Sequence, residues 1–261
     1  MSRFKAAVFD WAGTMIDFGS FAPMGVFVKT FSRFGVEVTV AEARGPMGLP
    51  KWDHIRAMLD QKRIAAEWKK VRGAAPTDRD ADEIYKVFVP MNEEVVADYA
   101  TLVPGALDTV KALRAKGLKI GSTTGYTRSI MERVLPVAKA QGYEPECLVC
   151  ADDMKHGRPT PLNMYRCFIE LDVWPASAVI KVDDTEPGIT EGVAAGCLTV
   201  GVALSGNAVG KTPEELAALS KAEIAPLREH ATALLKGAGA DHVIDTVADL
   251  PALIDRLEKA A

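Results

Sequence analysis

Apolar positions along the chain follow two rhythms. Near the start, and again from Val103 onward, they form short unbroken runs bounded by Gly, Pro or Asp; in between they recur every three or four residues. The first run, Ala6-Ala7-Val8-Phe9, stops at Asp10 and is followed by Gly13, which predicts a buried strand entering a tight turn. From there the period lengthens. Phe21, Met24, Val28 and Phe31 predict a helix that begins near Pro23 and stops at Gly35. Further helices are expected over Val40 to Arg44, Lys51 to Arg63, Ala65 to Arg72 and Thr77 to Tyr99, the last kinked at Pro90.

After Val103 strand and helix alternate. Strands are expected at Leu118 to Thr123, Cys147 to Cys150, Ala178 to Val182, Leu198 to Val202 and His242 to Ile244, with helices between them. This order predicts an α/β fold with a doubly wound, mostly parallel sheet interrupted by an all-helical insertion. The expected division is an α/β core domain of residues 1–18 and 101–261 and a helical cap domain of residues 19–100.

Composition narrows the functional classes. The 261 residues carry a net charge of −4, with basic side chains dispersed among acids, so the chain lacks the footprint of a nucleic-acid or anionic-membrane binder. Met1 to Lys5 lead straight into the first strand, and no run of eighteen apolar residues follows, so a cytoplasmic protein is expected. The four cysteines are too few and scattered for a disulfide framework. Cys147 and Cys150 form a C-x-x-C pair inside an apolar run, which predicts buried structural thiols.

Several strand ends carry reactive side chains. Asp10 stands where open parallel sheets place their ligands, as a nucleophile or as a cap of the following turn. Ser122 to Arg128 (S-T-T-G-Y-T-R) ends a strand and opens a helix, so its hydroxyls and backbone N–H groups suit either an anion or plain capping by Thr124 or Thr127. Arg158 offers a guanidinium fork suited to phosphate, and Asp183 and Asp184 follow another strand. In the insertion, Pro50 marks a first helical position. Lys51 then lies in a first turn, where the helix dipole disfavours an ammonium, and His54 shares its face; the pair is either reactive or ordinarily solvated. Ser205 to Thr212 nearly spells a phosphate-binding G-x-x-x-x-G-K-T loop, but Ser205 replaces the first glycine. Thr212-Pro213-Glu214-Glu215 reads instead as a capped helix start.

The strings D-W-A-G-T (Asp10 to Thr14) and M-G-L-P-K-W-D-H (Met47 to His54), with the second, third and fourth motifs in order behind them, resemble the phosphonatase branch of the haloacid dehalogenase superfamily. That resemblance implies a Rossmann-like core and hydrolysis of the carbon–phosphorus bond of a small phosphonate. Its phosphatase members carry a second Asp as general acid where this chain has Ala12, so the leaving group must be handled differently. A lysine imine solves this, because it accepts the electrons of the broken bond as an enamine.

The resemblance therefore implies Asp10 as nucleophile, Lys51 as imine-forming amine and His54 as proton carrier. Thr124, Gly125, Tyr126, Arg158, Met47 and Gly48 would contact substrate and phosphate. Mg²⁺ would sit on Asp10, the Ala12 carbonyl and Asp184 in preference to Asp183. Family members often carry another acid where this chain has Gly188; Glu186, Glu191 or water is expected to compensate. A homodimer is implied too, with the apolar helix from Phe21 to Phe34 as a possible interface. The rival functions are a phosphate-ester phosphatase or dehalogenase-like hydrolase, and a non-catalytic phospho-metabolite-binding protein.

Overall fold

The run Ala6–Phe9 forms strand β1, and all four of its side chains are buried in the computed structural model, which describes residues 2–260. The chain then leaves the sheet for a helical insertion: α1 (Ala22–Arg33), α2 (Val40–Arg44), α3 (Lys51–Asp60), α4 (Lys62–Arg72) and α5 (Asp78–Val95), followed by a 3₁₀ turn over Val96–Tyr99. It returns through α6 (Ala106–Ala115), β2 (Lys119–Thr123), α7 (Arg128–Ala140), β3 (Cys147–Val149), α8 (Leu162–Leu171) and β4 (Val179–Asp183). The last elements are α9 (Glu186–Ala195), β5 (Leu198–Val202), α10 (Pro213–Ala217), α11 (Lys221–Gly237), β6 (His242–Ile244) and α12 (Leu250–Lys259).

The sheet order is β3-β2-β1-β4-β5-β6, with every pairing parallel, as the strand and helix rhythm predicts. The chain works outward from β1 to β3, then crosses back to β4 and works outward again. The strand order therefore reverses between β1 and β4, and a crevice opens beyond their C-terminal ends. Asp10 directly follows β1, and Asp184 directly follows β4.

The insertion has its own apolar interior. Phe27, Phe31, Ile55, Leu59, Trp68, Ile84 and Phe88 form a cluster distinct from the one under the sheet. The apolar face of α1, the suggested dimer surface, is spent inside this cluster: Met24, Val26, Phe27 and Phe31 are all buried there. Two boundaries differ from expectation. The helices expected over 51–63 and 65–72 are instead divided at Gln61, whose extended backbone (ψ 129°) separates α3 from α4. The helix expected to run to Tyr99 ends at Val95, with Pro90 inside it, and gives way to the 3₁₀ turn over Val96–Tyr99. Helix α12 had no counterpart in the sequence reading; it buries Leu250, Leu253 and Ile254 in the core cluster that also holds Val110 and Leu113 of α6. Among the described residues no helix is long and apolar enough to cross a membrane.

The four cysteines are free and buried. Ser205 to Thr212 leads into α10, with Thr212 and Glu215 closing a capping box, as read.

Candidate active site

Nine of the expected residues meet at one cavity: Asp10, Ala12, Met47, Gly48, Lys51, Thr124, Gly125, Tyr126 and Arg158, joined by Ser20 and Thr185. The free volume is about 20 Å³, room for about one water, so the insertion stands shut on the sheet edge. Two glycines make this closeness possible. Gly48, at φ +93°, carries the loop before α3 across Thr185; a Cβ on Gly125 would stand 2.8 Å from the Leu49 carbonyl oxygen. Because that neighbour is backbone, Gly125→Ala is expected to hold the two parts ajar and lower kcat/KM about 100-fold with little change in thermal unfolding, checked by steady-state kinetics beside a melting curve.

Lys51 is the first residue of α3, with Pro50 as its N-cap one position earlier than expected. The side chain is 3% exposed, its Nζ 4.9 Å from the Tyr126 ring centroid and 5.9 Å from that of Phe27. Burial brings the ammonium down to about 8; the charge on Asp10 opposes this and that on Arg158 assists. His54 is wholly buried one turn on, stacked on Phe27 at 4.0 Å, and does not line the cavity. Its Nε2 lies 2.8 Å from the Ala43 carbonyl, which can only accept, so the proton is on Nε2 and Nδ1 keeps a free lone pair with no partner. Burial, then the Lys51 charge, holds the ring neutral, well below the ordinary histidine value.

Under the cavity lies a buried ionic lattice. Arg158 reaches Asp10 at 2.8 Å, Asp183 at 3.2 Å and Glu191 at 3.2 Å, and donates to the Thr123 carbonyl. Lys181, completely buried on β4, lies 3.0 Å from Asp183 and 3.1 Å from Glu191. Asp184 accepts from Thr14 Oγ1 at 2.9 Å and from the Asn207 N–H at 2.8 Å. Four buried carboxylates thus face the two basic side chains of Arg158 and Lys181, so acids outnumber bases. Burial and the neighbouring Asp183 raise Asp10 to about 6; burial, Asp10 and Asp183 push Asp184 well above the ordinary carboxylate value. Burial opposes ionisation of Asp183 as well, but Arg158 and Lys181 hold it below the ordinary value.

This crowding is what a divalent cation relieves, and Asp10, Asp183 and Asp184 each offer an oxygen within 4.8 Å of the others. The donor set is all oxygen and fits a hard ion. Neither acid suggested as a substitute at position 188 belongs to this group: Glu186 is exposed, and Glu191 Oε2 is taken by Thr123, Arg158 and Lys181.

The sequence reading missed Lys181 and the Arg44–Asn207 clamp. A lysine between Ile180 and Val182 in an otherwise apolar strand was the available signal for Lys181. Arg44 leaves the end of α2 to donate to the carbonyls of Gly19 and Asn207 and to Asn207 Oδ1, and Asn207 Nδ2 donates back to the Arg44 carbonyl. Asp184 opens onto a neighbouring cleft of about 380 Å³ that these two residues and His230 border.

Comparison with known proteins agrees with this geometry. A family model described as haloacid dehalogenase-like hydrolase matches residues 4–196. A phosphonoacetaldehyde hydrolase of Paraburkholderia phytofirmans is 50% identical over 258 residues, covering 99% of this chain and 97% of the relative. One of Pseudomonas fluorescens is 45% identical over 250 residues, covering 96% and 91%. The crystal structure of a phosphonoacetaldehyde hydrolase-like protein from Oleispira antarctica superposes with a TM-score of 0.96 at 45% identity, covering 98% of this chain and 93% of that one. The chain belongs to the haloacid dehalogenase-like hydrolases and, within them, to the phosphonoacetaldehyde hydrolase family.

Proposed function

We propose that the protein hydrolyses phosphonoacetaldehyde to acetaldehyde and phosphate, with residues 19–100 acting as a cap that delivers Lys51 to a core of residues 1–18 and 101–261. The observation that carries this reading is the shared cavity: an amine lowered to about 8 and a carboxylate at a strand end line one closed, water-poor space.

The neutral Lys51 amine adds to the substrate aldehyde, and the carbinolamine takes up one proton from solvent and loses water to give a protonated imine, with His54 Nδ1 as the nearby proton carrier. Asp10 attacks phosphorus, and the carbon–phosphorus pair moves into the imine to leave an enamine. No oxygen leaving group needs a proton, so Ala12 costs the reaction nothing. The enamine takes a proton at carbon; water then releases acetaldehyde from Lys51 and phosphate from Asp10. Arg158 and the Thr124–Gly125 turn bind the phosphoryl oxygens, and cap closure keeps water out during the transfer. Magnesium, held by Asp10, Asp184 and the Ala12 carbonyl, would offset phosphoryl charge when bound. A homodimer belongs to this reading through the family resemblance, without the buried face of α1 as its contact.

Borohydride added with phosphonoacetaldehyde tests the reading. A reduced two-carbon adduct on Lys51, found by mass spectrometry of the digest, is the expected result. An unlabelled protein that turns over phosphate esters would overturn it in favour of a phosphatase, and one that binds without label or turnover in favour of a binding protein.

A further inference from the structure

The loop after β5, Ser205 to Gly210, touches each part of the site in turn. Ser205 Oγ donates to the Gly13 carbonyl, in the turn behind Asp10, at 2.8 Å; the Ser205 carbonyl accepts from the Gly19 N–H, on the chain entering the insertion, at 2.8 Å. Gly206 lies so close to Asp184 that a Cβ on it would stand 2.7 Å from the Asp184 Cβ, and the Asn207 N–H holds the Asp184 carboxylate. Arg44 meets this loop from the insertion. Its Cζ is 5.2 Å from the centre of the Phe21 ring, and a Cβ on Gly210 would stand 2.6 Å from that same atom. Away from the chain connections (residues 17–22 and 96–103), every direct hydrogen bond between the insertion and the sheet domain, among the described residues, joins Arg44 to Asn207. No ion pair crosses there: the charged groups of the insertion pair with one another.

We propose that the Ser205–Gly210 loop is a receptor for the Arg44 guanidinium that holds the insertion shut, with Arg44 and Asn207 as positioning residues that keep Lys51 over Asp10. The inference rests on the reading of residues 19–100 as a cap. The remaining contact between the two parts is packing, which tolerates sliding, whereas a guanidinium bonded at once to a main-chain carbonyl and an amide oxygen fixes one arrangement. Both halves of the chemistry meet at Asn207. Its N–H holds Asp184, and its side chain holds the Arg44 carbonyl, next in the chain to the Ala43 carbonyl that takes the His54 proton.

The test is acylation of Lys51 in the full chain without substrate. The N-hydroxysuccinimide ester of acetic acid is too large for a cavity with room for about one water, so it reaches Lys51 only while the cap is open. Mass spectrometry of the digest gives the rate relative to Lys69, exposed on α4. Arg44→Ala and Asn207→Ala are each expected to raise the relative rate about tenfold or more, and the double variant to stay within about threefold of either, since both ends belong to one contact. Deuterium exchange of the α1 and α5 amides is expected to stay at the wild-type rate, as the cap moves whole. An unchanged Lys51 rate overturns the proposal, as does a double variant whose effects multiply. Faster exchange throughout α1 and α5 overturns it too, because the pair would then merely stabilise the cap. Where Arg44→Ala gives no cooperative melt, Asn207→Ala opens the contact from the other side and leaves the N–H on Asp184 in place. The ester contains no phosphonate, so a missing phosphonoacetaldehyde adduct counts against the hydrolase reading alone, while an unchanged acylation rate counts against the receptor loop even in a chain that turns over.

Discussion

Lys51→Met is expected to lower kcat/KM for phosphonoacetaldehyde by about 10⁴-fold or more and, at the same time, to raise the midpoint of thermal unfolding at pH 7. Both effects follow from burial. At the ordinary value of 10.5 about 0.03% of the amine would be neutral at pH 7, whereas at about 8 roughly a tenth is, a gain of about 300-fold in nucleophile. The folded value lies below the unfolded one, so between pH 8 and 10.5 the unfolded chain binds the extra proton and stability rises with pH across that window. Below pH 8 the full cost of burying the charge is present, about 3 kcal/mol. Methionine fills similar space against Phe27 and Tyr126 without the charge. Phosphate release and calorimetry on the same preparation check the pair of effects. Activity within tenfold of wild type would remove Lys51 from the chemistry. In the wild type, the rate of borohydride labelling is expected to rise about tenfold per pH unit up to about 8 and then level.

The sheet was legible because its central strands are buried on both faces, as β1 shows with four buried apolar residues in a row. The insertion was legible through its helical period. Asp10 and Lys51 could be singled out because a strand end and a helix start are places where backbone geometry exposes a side chain to a ligand. Helix α12 was missed although its apolar residues Leu250, Leu253 and Ile254 recur at helical spacing and Pro251 stands in its first turn, because it follows a strand of only three residues.

The ionic lattice was less legible because it is made of contacts between elements. Lys181 and Asp183 are two residues apart on β4 and therefore share a face, which the sequence does show. That the same face meets Glu191 of α9 and Arg158 from the loop before α8 depends on how the helices cover the sheet. Asn207 illustrates the same limit. Its loop was read only as the approach to a capped helix start, yet its backbone N–H holds Asp184 and its side chain holds Arg44. The distances from Arg44 to Asn207 and from Asp10 to Asp184 along the chain are long, and only the folded β1–β4 crevice brings these groups together.

Asp10→Asn separates the two halves of the reaction. Phosphate release is expected to fall by about 10⁴-fold or more, since an amide cannot form the acyl phosphate, while borohydride continues to label Lys51. The label is expected to form at least as fast as in wild type: the charge on Asp10 raises the Lys51 value, so removing it leaves more neutral amine at pH 7. The fold should tolerate the change. Asn has the same shape, its oxygen still accepts from Arg158, and Arg158 keeps Asp183 and Glu191 as counter-charges. One of the mutually repelling carboxylates is also gone, which relieves Asp184. Mass spectrometry of the trapped adduct and phosphorus NMR of the reaction mixture read the two halves in one sample. Loss of label together with loss of phosphate would mean that Asp10 is needed before the carbon–phosphorus bond is touched, and the division of labour between sheet and cap would be wrong.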